Sequence, residues 1–477
     1  MNEKQNQIAF WGAAEIARQI RSGNITPLEA VEAHIAQIEK VNPAINALVT
    51  PAFEQARSAA RRAGEQLAGQ PAGLPPLFGV PVTVKDALAV AGLRFTAGSI
   101  HYRENIANED AEAVHRLKDA GAIILGKTNC ADMSGSTETN NLVFGLTRNP
   151  WNLAHSAGGS SGGEGALIAA RGSPLGLGSD IAGSIRIPAA FNGVVGLKPT
   201  AGRVPTTGHV PSTPDSISGW NTVGPLARHV EDLALALGVL SNTPVRDFRD
   251  IDLNALRILV PHFLTAAPVS REIAGAVDLA SEALARSGMR AIEHARLPLL
   301  KVSFEFAATM YREWLPGYRL VLGNGKPVRF IPELIANRRG KGQVSPATLA
   351  IPAMLGGMGP FIRLSGYGQL EHLERLKAQI LEQMGPGGLL LYPVFPTPAP
   401  KHGFAWHLNG TPTYTGIVNC LGFPSVVVPA GLSRDNLPLA VQIIARPDED
   451  ETALAVAALL EGEFGGSRIP PIIRMTS

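Results

Sequence analysis

From residue 78 to residue 461 the chain alternates short apolar, β-branched runs with amphipathic helical stretches. That alternation restricts it to a layered α/β architecture, because each kind of element must bury its apolar side against the other. The spacing predicts strands at 78–84, 122–125, 175–178, 194–197, 258–260, 389–394, 425–429 and 439–444. Helices are expected at 52–68, 110–120, 164–170, 230–240, 270–287, 369–384 and 449–461. A further helix begins at Thr26-Pro27-Leu28-Glu29, where a capping residue, a proline at the first helical position and an acid in the first turn coincide. The strand runs are near-continuously apolar, so the sheet is mixed and largely buried on both faces.

Composition narrows the function classes. Hydrophobic residues make up 45% of the 477 and charged ones 17%, which supports a large core and excludes a solvated, disordered chain. The net charge of +2 points to neither nucleic acid nor an anionic membrane as partner. Cys130 and Cys420 lie in apolar company without ligand spacing, so they read as buried thiols of a reducing, cytoplasmic compartment, with no metal. Residues 1–10 are polar, so no signal peptide is expected. The stretch 344–362 is uncharged, but its prolines and glycines argue against an integral membrane segment and predict neither a long helix nor a strand. Residues 301–365 are the least regular part, expected to form an insertion or lid bearing on the substrate pocket.

Three segments carry chemistry. In Gly158-Gly159-Ser160-Ser161-Gly162-Gly163-Glu164 the small residues let backbone N–H groups approach a ligand ahead of a helix. The segment also fits G-x-S-x-G, but the turn-like residues 149–152 stand where that motif needs a strand. In Gly178-Ser179-Asp180-Ile181-Ala182-Gly183-Ser184-Ile185-Arg186-Ile187-Pro188, the N–H groups of Ile181, Ala182, Gly183 and Ser184 suit an oxyanion hole. Lys85 ends an apolar run, where desolvation can make it a base. One match misleads: residues 121–128 fit the G-x-x-x-x-G-K-T phosphate loop, but the middle four residues are themselves the expected strand.

Taken together, residues 158–164, Asp180 to Pro188 and Gly196-Leu-Lys-Pro-Thr200 resemble the amidase signature family, and the separation of Ser160 from Ser184 matches its two serines. Residues 126–129, Gly224-Pro-Leu-Ala-Arg228 and Asn419-x-x-Gly-x-Pro424 fit as well, and residues 151–200 are most similar to the fatty acid amide hydrolase branch. The resemblance implies an α/β fold: a single-domain αβα sandwich around a central mixed, largely parallel, twisted β-sheet. It spans 1–477, with N-terminal helices in 1–70 and the catalytic core in 75–245. It implies an amidase without cofactor in which Ser184 is the nucleophile, Ser160 (after a cis peptide) relays its proton, and Lys85 is the base. Ser161, Asp180 and Arg186 are implied as supports. Met133, Ser134, Gly135 and Ser136 align with pocket residues, and Leu355 and Met358 are expected to wall the same pocket. The partner is a small-molecule amide with an apolar acyl or aryl group, and a homodimer is left open. The competing readings are a glutamine amidotransferase subunit for tRNA-dependent transamidation and a carbamate or ester hydrolase on the same triad.

Overall fold

A computed structural model describes residues 3–69, 73–263, 268–404 and 411–475. Among the described residues, eleven strands form one sheet: β1 (Leu48–Pro51), β2 (Pro81–Lys85), β3 (Ile123–Thr128), β4 (Leu175–Asp180), β5 (Val195–Lys198), β6 (Thr222–Ala227), β7 (Arg257–Pro261), β8 (Arg290–Ala295), β9 (Gly388–Pro393), β10 (Ser425–Leu432) and β11 (Pro438–Ile444). Their spatial order is β1-β3-β2-β4-β6-β5-β10-β11-β9-β7-β8. The sheet is mixed, as expected. Its parallel pairings form two blocks, β3-β2-β4 and β9-β7-β8, on either side of an antiparallel centre. "Largely parallel" therefore describes the flanks only. In the centre, β10 and β11 are joined by residues 433–437, too short for the crossover that a parallel pair requires.

Both faces of the sheet are covered. In β9, Leu389 and Leu391 pack into one apolar cluster with the helices Val230–Leu240, Arg271–Arg286 and Asp450–Phe464. Leu390 and Tyr392, pointing the other way, join a second cluster with Phe306, Trp314, Tyr318 and Leu355. The N-terminal helix Pro27–Ile45 starts as its sequence requires. Thr26 Oγ1 accepts from the Glu29 N–H at 3.1 Å, and the Thr26 N–H donates back to Glu29 Oε2 at 2.8 Å.

Residues 301–365 depart from expectation, for they are strongly helical: Leu299–Thr309, a π turn at Met310–Trp314, then Leu315–Leu322, Phe330–Arg338, Pro346–Gly357 and Gly359–Ser365. Two of the three prolines that argued against a helix sit where helices tolerate them, while Pro352 lies inside the helix Pro346–Gly357. Pro346 and Pro360 occupy first turns, where an N–H would have no intrahelical partner, and the 42° bend falls between the last two helices. Among the described residues no single helix is long and apolar enough to cross a membrane; only this bent pair passes by length and composition.

Candidate active site

β2 and β4 are parallel neighbours, with Val82 opposite Leu175 and Val84 opposite Leu177. Their carboxyl ends therefore open at the same edge, where sheets of this kind place their sites. β2 ends in Lys85 and β4 in Ser179-Asp180. Ser160 precedes the helix Gly162–Ala169, and Ser184 precedes the helix Arg186–Asn192.

Lys85 is fully buried. Its Nζ lies 2.7 Å from Ser160 Oγ and 2.9 Å from Ser179 Oγ. Burial pushes the amine down to about 8, against the upward pull of its neighbours, Asp180 and Glu164 among them. Glu164, in the first turn of the helix after Ser160, is itself raised to about 7 by burial. It accepts from Thr83 Oγ1 at 2.6 Å and Thr128 Oγ1 at 2.7 Å, which ties that helix to β2 and β3. The Gly159–Ser160 peptide is cis. A Cβ on Gly159 would lie 2.5 Å from the Ser136 carbonyl and 2.7 Å from the Glu138 nitrogen, so the chain at 136–138 can abut this peptide only if the residue is glycine.

Ser160 and Ser184 line one cavity with Met133, Ser134, Ile181 and Trp314. Among the described residues the N–H groups of Ile181, Ala182 and Ser184 have no protein acceptor. Gly183 differs from its sequence reading: its N–H donates to Asp180 Oδ1 at 2.7 Å and is not free for an oxyanion. Its role is conformational, with φ +116° and Thr415 Oγ1 2.4 Å from where a Cβ would stand. Ala182 is not among the positive-φ residues, so the side chain is accommodated without strain.

Arg186 holds this turn. Its Nε and Nη2 donate to the Asp180 carboxylate at 3.0 Å each, and Nη1 donates to Gln442 Oε1 at 3.1 Å. Burial alone would raise the Asp180 carboxyl, but the guanidinium beside it holds it well below the usual range. Asn419 Nδ2 donates to the Asp180 carbonyl at 2.9 Å, which is what the Asn419-x-x-Gly-x-Pro segment does here. Ser161 Oγ donates to the Ser179 carbonyl at 3.4 Å. The phosphate-loop match resolves as a strand: Lys127 is buried in β3, 3.3 Å from Asp86, and a short turn at Asp132–Ser134 follows instead of a helix.

A model of the amidase family matches residues 29–454. The chain belongs to the amidase signature family. Fatty-acid amide hydrolase 2-A of Danio rerio is 35% identical to it, over 98% of this chain and 91% of that one. A glutamyl-tRNA(Gln) amidotransferase subunit of Carboxydothermus hydrogenoformans is 33% identical, over 95% of this chain and 97% of the relative. The structure of 6-aminohexanoate cyclic dimer hydrolase complexed with substrate is similar at a TM-score of 0.76 and 30% identity, covering 98% of this chain and 99% of that one. The protein is an amidase, an enzyme that hydrolyses amides.

Of the pocket residues expected in this amidase, Met133 and Ser134 line the Ser184 cavity, while Gly135 and Ser136 do not. Gly135 faces the Tyr318 hydroxyl, and the Ser136 hydroxyl accepts from the Glu138 N–H at 3.1 Å. Leu355 and Met358 do not line it. Helical periodicity turns Thr348, Pro352 and Leu355 inward to the core, while Ala347, Ala350 and Met354 face a separate groove that reaches Glu138 and His402. Leu355→Ala is accordingly expected to lower stability by about 2–5 kcal/mol in denaturant unfolding, with KM for an acyl anilide unchanged. Sequence reasoning missed Ser179, His209, Asn221 and Trp314, all lining the Ser184 cavity. Ser179 lies inside the Gly178–Pro188 segment but was given no role there, whereas His209, Asn221 and Trp314 are single residues outside any spaced pattern, His209 and Asn221 in the long loop between β5 and β6.

Proposed function

We propose that this amidase cleaves linear amides bearing an apolar acyl or aryl group through Ser184, Ser160 and Lys85. The observation that carries the reading is a fully buried lysine, 2.7 Å from the hydroxyl of Ser160, which shares a cavity with Ser184. Neutral Lys85 takes the Ser160 proton as Ser160 takes that of Ser184. Ser184 Oγ adds to the carbonyl, and the developing oxyanion faces the N–H groups of Ile181, Ala182 and Ser184. The proton then returns through Ser160 to the leaving amine, and water cleaves the acyl-enzyme by the same relay. No cofactor or metal enters this sequence.

The choice of acyl group rests on the cavity wall. Met133, Ile181, Pro211 and Trp314 supply apolar surface, with Ser, Thr, Asn and His side chains between them. No carboxylate, lysine or arginine lines it among the described residues. Glutamine carries both an ammonium and a carboxylate, each of which needs a charged or strongly polar partner when desolvated. This favours an apolar amide over the glutaminase activity of a transamidation complex. Acyl p-nitroanilides from acetyl to long chain and benzoyl test the reading, with ammonia release from glutamine as the counter-assay. The expected result is kcat/KM rising with apolar acyl size and no glutaminase activity. Glutamine turnover exceeding that of every anilide would overturn it. Matched oxygen and nitrogen leaving groups on one acyl chain extend the series to esters and carbamates.

A further inference from the structure

We propose that His209 is a positioning residue that keeps the Ser179 hydroxyl from competing with Ser160 for the Lys85 lone pair. The inference deepens, and rests on, the Ser184–Ser160–Lys85 reading. Lys85 Nζ has two hydroxyl neighbours at nearly the same range, Ser160 Oγ at 2.7 Å and Ser179 Oγ at 2.9 Å. A neutral amine has two N–H donors and a single lone pair, and a hydroxyl can serve it either as donor or as acceptor. Only the arrangement in which Ser160 donates is productive. If Ser179 donates instead, the base is occupied by a hydroxyl that leads nowhere.

His209 decides between them. Its Nε2 lies 2.8 Å from Ser179 Oγ, and its Nδ1 lies 3.1 Å from the Pro211 carbonyl. A carbonyl only accepts, so Nδ1 carries the hydrogen and Nε2 is an acceptor. The Ser179 hydrogen is thereby drawn to Nε2, and its oxygen lone pairs turn to the Lys85 N–H groups. Asn221 Nδ2 approaches the same Nδ1 at a longer 3.3 Å; donation from it would require the other tautomer, with the Nδ1 lone pair set against the Pro211 oxygen. Burial first, and the Lys85 amine second, push the ring down to about 3, so it stays neutral and able to accept. The other titratable groups facing Lys85 are Cys130, Asp180 and Glu164, and among the described residues none of them hydrogen-bonds its amine.

The test is a double-mutant cycle on kcat against pH, with an acyl p-nitroanilide that the wild type hydrolyses. His209→Leu frees the Ser179 hydrogen, and a hydrogen bond donated to neutral lysine favours that form. Its plateau rate is expected to fall about 10- to 100-fold, with the rise in kcat moved to lower pH. His209→Gln, whose Oε1 can accept from Ser179, should keep most of the rate. In the Ser179→Ala background, where no competing hydroxyl remains, His209→Leu should change kcat by no more than about twofold. A loss of the same size in both backgrounds, or no loss in either, overturns the proposal. Lys85→Ala is run beside them. Retained activity there would sink the Ser184–Ser160–Lys85 reading itself, whereas an inactive Lys85→Ala with equal His209 losses in both backgrounds sinks only the inference about His209.

Discussion

Ser184→Ala is expected to lower kcat by at least ~10³-fold while the unfolding temperature stays at the wild-type value. Under the proposed mechanism the rate falls because the covalent route through the acyl-enzyme disappears, and the remaining N–H donors and cavity can only bind. The fold is spared because the turn around Ser184 is held by other groups. Asp180 accepts from the N–H groups of Gly183, Ile185 and Arg186, and Arg186 clamps Asp180 in return. Deleting one hydroxyl from a residue that is still 9% exposed leaves that network whole. Steady-state kinetics with thermal unfolding on the same sample checks both halves. A rate within tenfold of wild type would remove Ser184 as nucleophile.

The second large effect belongs to Lys85. Its folded pKa is pushed down to about 8, from a normal lysine value above 10, and burial is the main cause. In the proposed relay the neutral form is the base, so kcat should rise about tenfold per pH unit below 8 and level off above it. The direction follows from the protonation state required: lowering the pH charges the amine and removes the acceptor for the Ser160 proton. Lys85→Ala should lose ~10²–10⁴-fold in rate and flatten that alkaline rise. A variant that retains the wild-type profile would mean that another group sets it.

Most of what positions these residues was legible because it is written in local pattern. The helix Val230–Leu240 agrees with its periodicity residue for residue, and β2, β3, β4, β9 and β11 fall within a few residues of their apolar runs. What escaped is where tertiary pairing outweighs local signals. β6 reads Thr-Val-Gly-Pro-Leu-Ala, with two turn-forming residues, yet it lies between β4 and β5 with Pro225 opposite Leu177. The helix Arg186–Asn192 contains Pro188 but is fixed by the contacts of Arg186 and by its packing against Gly162–Ala169. The uncharged 344–362 stretch illustrates the opposite error. Counting its prolines and glycines hid that Pro346 and Pro360 mark helix starts.

The candidate site divides in the same way. Lys85, Ser160 and Ser184 stand in small-residue segments and at a strand end, features visible without coordinates. Gly183 could not be assigned from sequence, because whether its N–H is free depends on where the Asp180 carboxylate turns. Leu355 faces the core because the helix Pro346–Gly357 sets its phase, which the proline-punctuated apolar run does not display. Ser179 and His209 become meaningful only once the ends of β2 and β4 are side by side.

In the proposed mechanism Ser184 becomes covalently acylated with Ser160 as relay. The direct measurement is mass spectrometry of the protein after reaction with an alkyl fluorophosphonate, with the modified peptide sequenced. One adduct on Ser184 is expected, abolished in Ser184→Ala and strongly slowed in Ser160→Ala and Lys85→Ala. An adduct on Ser160 in the wild type, persisting in Ser184→Ala, would contradict the account and make Ser160 the nucleophile.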